Sequence, residues 1–158
     1  MPKDAVEDAA QQLIAAGLAS PGQLKGCSEA DIAGLEAKFG VKLPATYRAF
    51  LAKMGRSAGK FLVGTDFLFQ DLPTLRQQAE RLLEQAGASV ALGPADFVFT
   101  VHQGYQFLFF KTGAEPDPKV FLFVEGEDEF QQVADSFSSW LTGCVADEIA
   151  AARETGEA

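Results

Sequence analysis

An α+β domain is what this sequence predicts, and three observations carry that reading. Apolar residues recur at helical spacing inside capped segments, as with Ile32, Leu35 and Phe39 at i, i+3 and i+7 between Ser28 and Gly40. From Phe97 to Lys111 the pattern changes to alternation of large apolar residues about a turn at Gln103-Gly104. The chain has 158 residues, 47% of them apolar. A domain of that size buries roughly 70% of the surface its unfolded chain exposes, enough for a core without disulfides or metals.

Taken in order, Asp4 is placed to cap a first helix, with Glu7 closing a capping box and Val6, Leu13 and Ile14 as its apolar stripe. Gly17 ends it, and Ser20-Pro-Gly is a break. Ser28 caps the next helix, with Asp31 as a short stand-in for the usual Glu, and Gly40 stops it. Pro44 suits the first turn of a third helix, whose face is Tyr47, Phe50, Leu51 and Met54 and whose stop is Gly55. Phe61–Val63 and Phe67–Phe69 are short strand candidates. Leu72 to Ala86 reads as a helix with Leu75, Ala79, Leu82, Leu83 and Ala86 inward, and Gly93-Pro94 is a turn. In the hairpin, Phe97, Phe99 and Val101 alternate, then Tyr105, Phe107 and Phe109. A loop at Glu115–Pro118 leads to a strand, Val120–Val124, whose aromatic and β-branched residues expect cover on both faces. Phe137, Trp140, Leu141, Cys144 and Val145 form one face of a closing helix. The spacing of Tyr47 and Trp140 places both in the core.

The formal net charge of -9 is unevenly spread. Residues 1–111 carry 11 acids and 11 bases; residues 112–158 carry 11 acids against Lys119 and Arg153. A nucleic-acid binder needs basic surface to displace counterions from phosphates, so direct nucleic-acid binding is not expected. A cationic partner fits, since a one-signed surface steers its opposite; solubility alone also explains such acids. The start of the chain lacks an apolar stretch behind a basic end, and the apolar runs are too short to cross a bilayer, so a cytoplasmic protein with no membrane role is expected. Cys27 and Cys144, far apart and in no metal-like spacing, read as reduced thiols.

Little here serves catalysis, and neither cofactor nor metal is expected. His102 is the only histidine, which excludes His-based metal clusters. Gly55–Phe61 imitates a phosphate loop, but its spacing is one residue short and Phe61 stands where a hydroxyl must bind Mg²⁺. Glu125, Glu127, Asp128 and Glu129 lack calcium-loop spacing. Such a run is either a solvated loop or a row of carboxylates imitating phosphates for a basic protein, with Phe130 as an apolar anchor. A small-molecule binder or hydrolase using Asp66, Asp71 or His102 is a further alternative.

Four segments in this order resemble the SUKH superfamily (Smi/Knr-like domains), which includes fungal cell-wall assembly regulators and bacterial toxin-immunity proteins. They are the helix with Ile32, Leu35, Glu36 and Phe39 before Gly40; Leu43-Pro44-x-x-Tyr47-Arg48-x-Phe50-Leu51 ending near Gly55; the hairpin from Phe97 to Phe110 with His102-Gln-Gly104-Tyr105 at its turn; and Ser136-Phe137-Ser-Ser-Trp140-Leu141. Met54 departs from the pattern, which often has a polar residue before that glycine. The resemblance implies a mostly antiparallel sheet packed by helices, no catalytic residues, and a protein-binding role, commonly as an immunity protein that neutralises a nuclease-type toxin domain. A regulatory adaptor without a toxin partner is the alternative. The expected organisation is an N-terminal helical extension over 1–24, a SUKH-like domain over 25–150 and a tail over 151–158. The expected partner surface is a concave sheet face edged by the acidic C-terminal third, with Glu125, Glu127, Asp128, Glu129, Phe130, Tyr105 and His102 as contact residues. The sequence leaves the oligomeric state open.

Overall fold

A computed structural model describes residues 2–155 of the chain. In chain order it contains α1 (Pro2–Ala15), β1 (Leu24–Lys25), α2 (Glu29–Phe39), α3 (Ala45–Met54), β2 (Ser57–Ala58), β3 (Thr65–Asp66), α4 (Leu72–Ala86), β4 (Asp96–His102), β5 (Gln106–Lys111), β6 (Val120–Val124), β7 (Gln131–Ala134) and α5 (Phe137–Thr155). Strands β3 to β7 form one antiparallel sheet in sequential order, and β1 pairs with β2 in a small ribbon. This is the expected α+β architecture.

Local chemistry accounts for most helix limits. The Ser28 hydroxyl accepts from the Asp31 N–H at 3.1 Å, and the Asp31 carboxylate accepts from the Ser28 N–H at 3.0 Å. This reciprocal box starts α2, and Gly40, at φ 64°, ends it. α4 has the expected limits, with Leu72, Leu75, Ala79, Leu82 and Leu83 buried. Asp4 falls inside α1, which already runs from Pro2; it is an acid of the first turn, where it faces the positive end of the helix dipole. Pro44 stands one residue ahead of α3, as its N-cap.

Larger differences lie in the strands. Phe61–Val63 and Phe67–Phe69 are not strands: turns occupy 59–64, and the paired residues are Ser57–Ala58 and Thr65–Asp66. β7, which no alternation announces, forms the edge beside β6. In the hairpin the register shifts between Val98 and Thr100, so Phe99 is the extra residue of a bulge. The bulge keeps Phe97 and Phe99 on one face, both stacked on Phe110, and sends Val101 to the other face, opposite Phe107. Strict alternation would have kept Phe97, Phe99 and Val101 together.

Both sheet faces carry aromatics. Against the first, Tyr47 of α3 and Phe137 and Trp140 of α5 meet Phe99, with Tyr47 and Phe137 also on Phe110. On the second, Phe107 lies beside Phe123 and Phe109 beside Phe121, and Phe130 folds edge-on over Phe109 with ring centroids 4.7 Å apart. α1 packs on α3 and α5, and its Val6, Ala9, Ala10 and Leu13 share one core with the sheet. α5 continues past residue 150 to Thr155. Trp140 and Cys144 are half-buried at the margin of that core.

Two packing constraints yield stability predictions. Gly26 lies against the end of α3, where the Cys27 N–H donates to the Leu51 carbonyl at 2.8 Å. A Cβ on Gly26 would stand 1.7 Å from the Ala52 carbonyl oxygen, whereas one on Gly34, mid-α2, meets nothing within 4 Å. Gly26→Ala is expected to cost about 3 kcal/mol and Gly34→Ala to gain about 0.5–1 kcal/mol, read from urea denaturation; equal changes would refute the close approach. The Tyr47 hydroxyl is the one buried side-chain polar atom among the described residues without a hydrogen-bond partner. Tyr47→Phe is therefore expected to raise stability by about 1 kcal/mol, and a loss of that size would mean the hydroxyl is satisfied.

Candidate functional site

Three turns lie side by side at one end of the sheet, because the register aligns Thr65 with His102, His102 with Gln106 and Gln106 with Val124. The central one joins β4 to β5. Three residues, 103–105, separate the paired His102 and Gln106, and Gln103 and Gly104 both have positive φ, 49° and 77°. The Tyr105 N–H donates to the His102 carbonyl at 3.2 Å and closes it. The Tyr105 carbonyl accepts from the Glu125 N–H at 2.8 Å, tying this turn to the β6–β7 turn, where the Glu127 N–H donates to Val124.

The structure thus brings His102, Tyr105, Glu125 and Glu127 together. Tyr105 is 39% exposed and stands edge-on to the His102 ring at 5.4 Å. His102 is half-buried, its Nδ1 2.7 Å from Thr65 Oγ1, so one ring nitrogen is committed to β3. Glu125, Glu127, Asp128 and Glu129 are all exposed. Asp128 has a local task as well: its carboxylate accepts from the Ser89 N–H at 2.9 Å and pins the turn to the segment after α4. Phe130 points inward onto Phe107, Phe109 and Phe123, which leaves it half-buried as a plug over the second face.

The third turn, residues 62–64, escaped sequence reasoning. Gly64 approaches the Gln103 side chain, and Val63 is 76% exposed. Leu62 has φ 52°, an uncommon conformation for a bulky residue. Its N–H donates to Glu148 Oε1 at 2.6 Å, so a carboxylate from α5 holds the turn. The only signal in the sequence was Gly64 after three apolar residues, and the partner that fixes the turn lies 86 residues away.

The acidic excess does not form one patch. Glu115, Asp117 and Asp135 sit at the opposite end of the sheet from residues 125–129, since β6 and β7 run antiparallel between them. Asp117 accepts from the Ser138 N–H at 2.9 Å at the start of α5, and Glu148 is spent on Leu62. The expectation of an open concave face also needs correction: Phe107, Phe109, Phe110 and Phe123 are at most 1% exposed, because aromatics on both faces demand cover. The strand-end strip is what stays open.

No group of three or more His, Cys, Asp or Glu suited to a metal ion occurs among the described residues. The Gly55–Phe61 segment is no phosphate cradle: the Arg56, Lys60 and Phe61 N–H groups donate to Lys25, Leu18 and Ala58 carbonyls. Asp66 is exposed and Asp71 half-buried; burial, then the Asp66 carboxylate, raises Asp71 above the usual carboxylate range. Among the described helices none is long and apolar enough to cross a membrane.

Both cysteines are free thiols. Burial pushes Cys27 up to about 11 and Cys144 up to about 12 from an ordinary 9, and holds the Tyr47 hydroxyl well above 10. The unfolded chain gives up thiol protons near pH 9, the folded chain only above 11. The stabilisation is therefore whole below pH 9 and lost as pH rises through 11. The urea midpoint is expected to fall across that window and to fall less in Cys27→Ala; a flat midpoint in the parent protein would contradict it.

Comparison with known proteins agrees with this geometry. Residues 26–143 match the family described as SMI1 / KNR4 (SUKH-1). No curated protein matches the chain. The matched span covers about three-quarters of the sequence. It begins just after β1 and takes in β2, all five strands of the main sheet, α2 to α4 and the first turns of α5. With its sheet, its Tyr47 helix and the start of its closing helix all inside that match, the chain belongs to the SMI1 / KNR4 family (SUKH-1).

Proposed function

We propose that this chain is a protein-binding module of the immunity type, acting in the cytoplasm to neutralise a nuclease-type toxin domain by covering its basic surface. The observation that carries the reading is the strand-end strip: exposed Tyr105 beside His102, with exposed Glu125 and Glu127 in the β6–β7 turn that is tied to the Tyr105 carbonyl. An aromatic ring with an acidic rim suits a cationic protein face, because rim charges raise encounter rates while the ring supplies buried area. Membership in the SMI1 / KNR4 (SUKH-1) family is consistent with this role and equally with a Smi/Knr-type regulatory adaptor, which would apply the same strip to a partner that is not a toxin. Neither reading gives the protein catalysis or direct nucleic-acid contact.

The test begins with co-purification from the native host and identification of the associated protein. Calorimetry at low and high salt then compares the parent chain with a Glu125→Lys, Glu127→Lys, Glu129→Lys triple variant, which spares Asp128 because it pins the turn. Binding is expected to weaken roughly tenfold or more at low salt and to lose most of its salt dependence. Affinity unchanged at both salts would refute the electrostatic part. A partner with nuclease activity that one equivalent of the chain abolishes supports the immunity reading; a partner without such activity supports the adaptor.

A further inference from the structure

The two edges of the main sheet differ in a way the strand-end strip does not explain. At one edge, β3 is only two residues long and carries exposed Asp66, a short and charged termination of the kind that discourages further pairing. At the other, β7 is four residues long and hydrogen-bonds on one side only, to β6. Gln131, Gln132 and Val133 are exposed, and the strand contains no Lys, Arg or Pro to block an incoming chain. Val133 is 42% exposed, one of three large apolar residues so open to solvent among those described. The register shift opposite Val120 and Phe121 makes it the extra residue on β7, so a bulge turns its side chain outward. α5 packs against β7, which places the following helix beside the strand.

Charge decides what such an edge admits. Exposed Glu127, Asp128 and Glu129 precede β7, and Asp135 follows it. Two copies pairing antiparallel through residues 131–134 would bring Glu129 of one chain beside Asp135 of the other at both ends of the ribbon, and like charges across a ladder are destabilising. A strand with basic residues at its ends meets the reverse situation. We propose that β7 is a strand-addition site for an extended segment of a partner protein, with Lys or Arg at each end and a β-branched centre. Main-chain hydrogen bonds to β7 would hold the segment, Val133 would pack against an apolar residue of it, and Glu129 and Asp135 would pair with its terminal bases. This rests on the reading that the chain binds a basic protein, and it assigns that partner a strand as well as a charged surface.

The test titrates the full chain with three synthetic capped peptides and follows backbone amides by NMR. The first is Lys-Arg-Val-Thr-Val-Thr-Lys-Arg, the second replaces its four bases by Glu and Asp, and the third keeps the bases but has Pro for the second Val. The basic peptide is expected to shift the amides of 131–134 and slow their hydrogen exchange, with both effects lost in high salt. The acidic peptide and the proline peptide are expected to leave β7 unchanged, the latter because proline removes a ladder donor. Val133→Lys is expected to abolish the β7 shifts. The proposal is overturned if the basic peptide gives no shifts, if the proline peptide shifts the same residues as the basic one, or if the chain alone dimerises through β7 at rising concentration. Should the peptide fail while the co-purified partner still binds Val133→Lys as it binds the parent, the edge is excluded and the strand-end reading stands.

Discussion

Tyr47 is enclosed by five aromatic rings, those of Phe50, Phe97, Phe99, Phe110 and Phe137, at centroid distances of 5.0–6.1 Å. Because its ring touches α3, β4, β5 and α5 at once, the relative placement of helices and sheet follows from how these rings pack. Edge-to-face aromatic pairs contribute about 0.5–1.5 kcal/mol each beyond the area they bury, so such a cluster favours one arrangement over its neighbours. The bulge at Phe99 belongs to the same constraint. Without the extra residue, and with Phe97 still opposite Phe110, Thr100 and Val101 would exchange faces, so that Val101 rather than Thr100 stood on the Tyr47 side. The Tyr47 hydroxyl, buried without a partner, is the polar cost carried by this packing.

The candidate surface is a consequence of that core. With aromatics buried on both faces, the parts of the sheet left open are its strand ends and its edges. At the strand ends, two non-glycine residues with positive φ, Leu62 and Gln103, belong to neighbouring turns. Backbone of this kind persists only where its surroundings hold it. Here the restraints are the Glu148 carboxylate on the Leu62 N–H and the Thr65–His102 contact between β3 and β4. The strip that presents Val63 and Tyr105 is thus fixed by interactions reaching back into α5 and the sheet.

The acidic excess illustrates how sequence position misleads about surface. Eleven acids in the last 47 residues read as one patch along the chain. The antiparallel path of β5, β6 and β7 carries Glu115, Asp117 and Asp135 to one end of the sheet and residues 125–129 to the other. Asp117, Asp128 and Glu148 each accept a backbone N–H and so act first as structural caps and ties. Phe130, read as an apolar anchor beside its acidic neighbours, is drawn inward because Phe109 needs a cover on that face.

Local structure follows from the order of residues alone. The limits of α2, α3 and α4, the β4–β5 hairpin and its turn, the β6 strand and the apolar face of α5 were legible because caps, helical periodicity and turn residues act within a few positions of one another. The Leu43-Pro44-x-x-Tyr47 segment and its companions also pointed to the right family. Tertiary structure alone decided the Phe99 bulge, the β7 edge, the turn at 62–64 and the separation of the late carboxylates. Each of these depends on cross-strand register or on a partner distant in sequence, and such pairings leave no period in the chain from which they could be read.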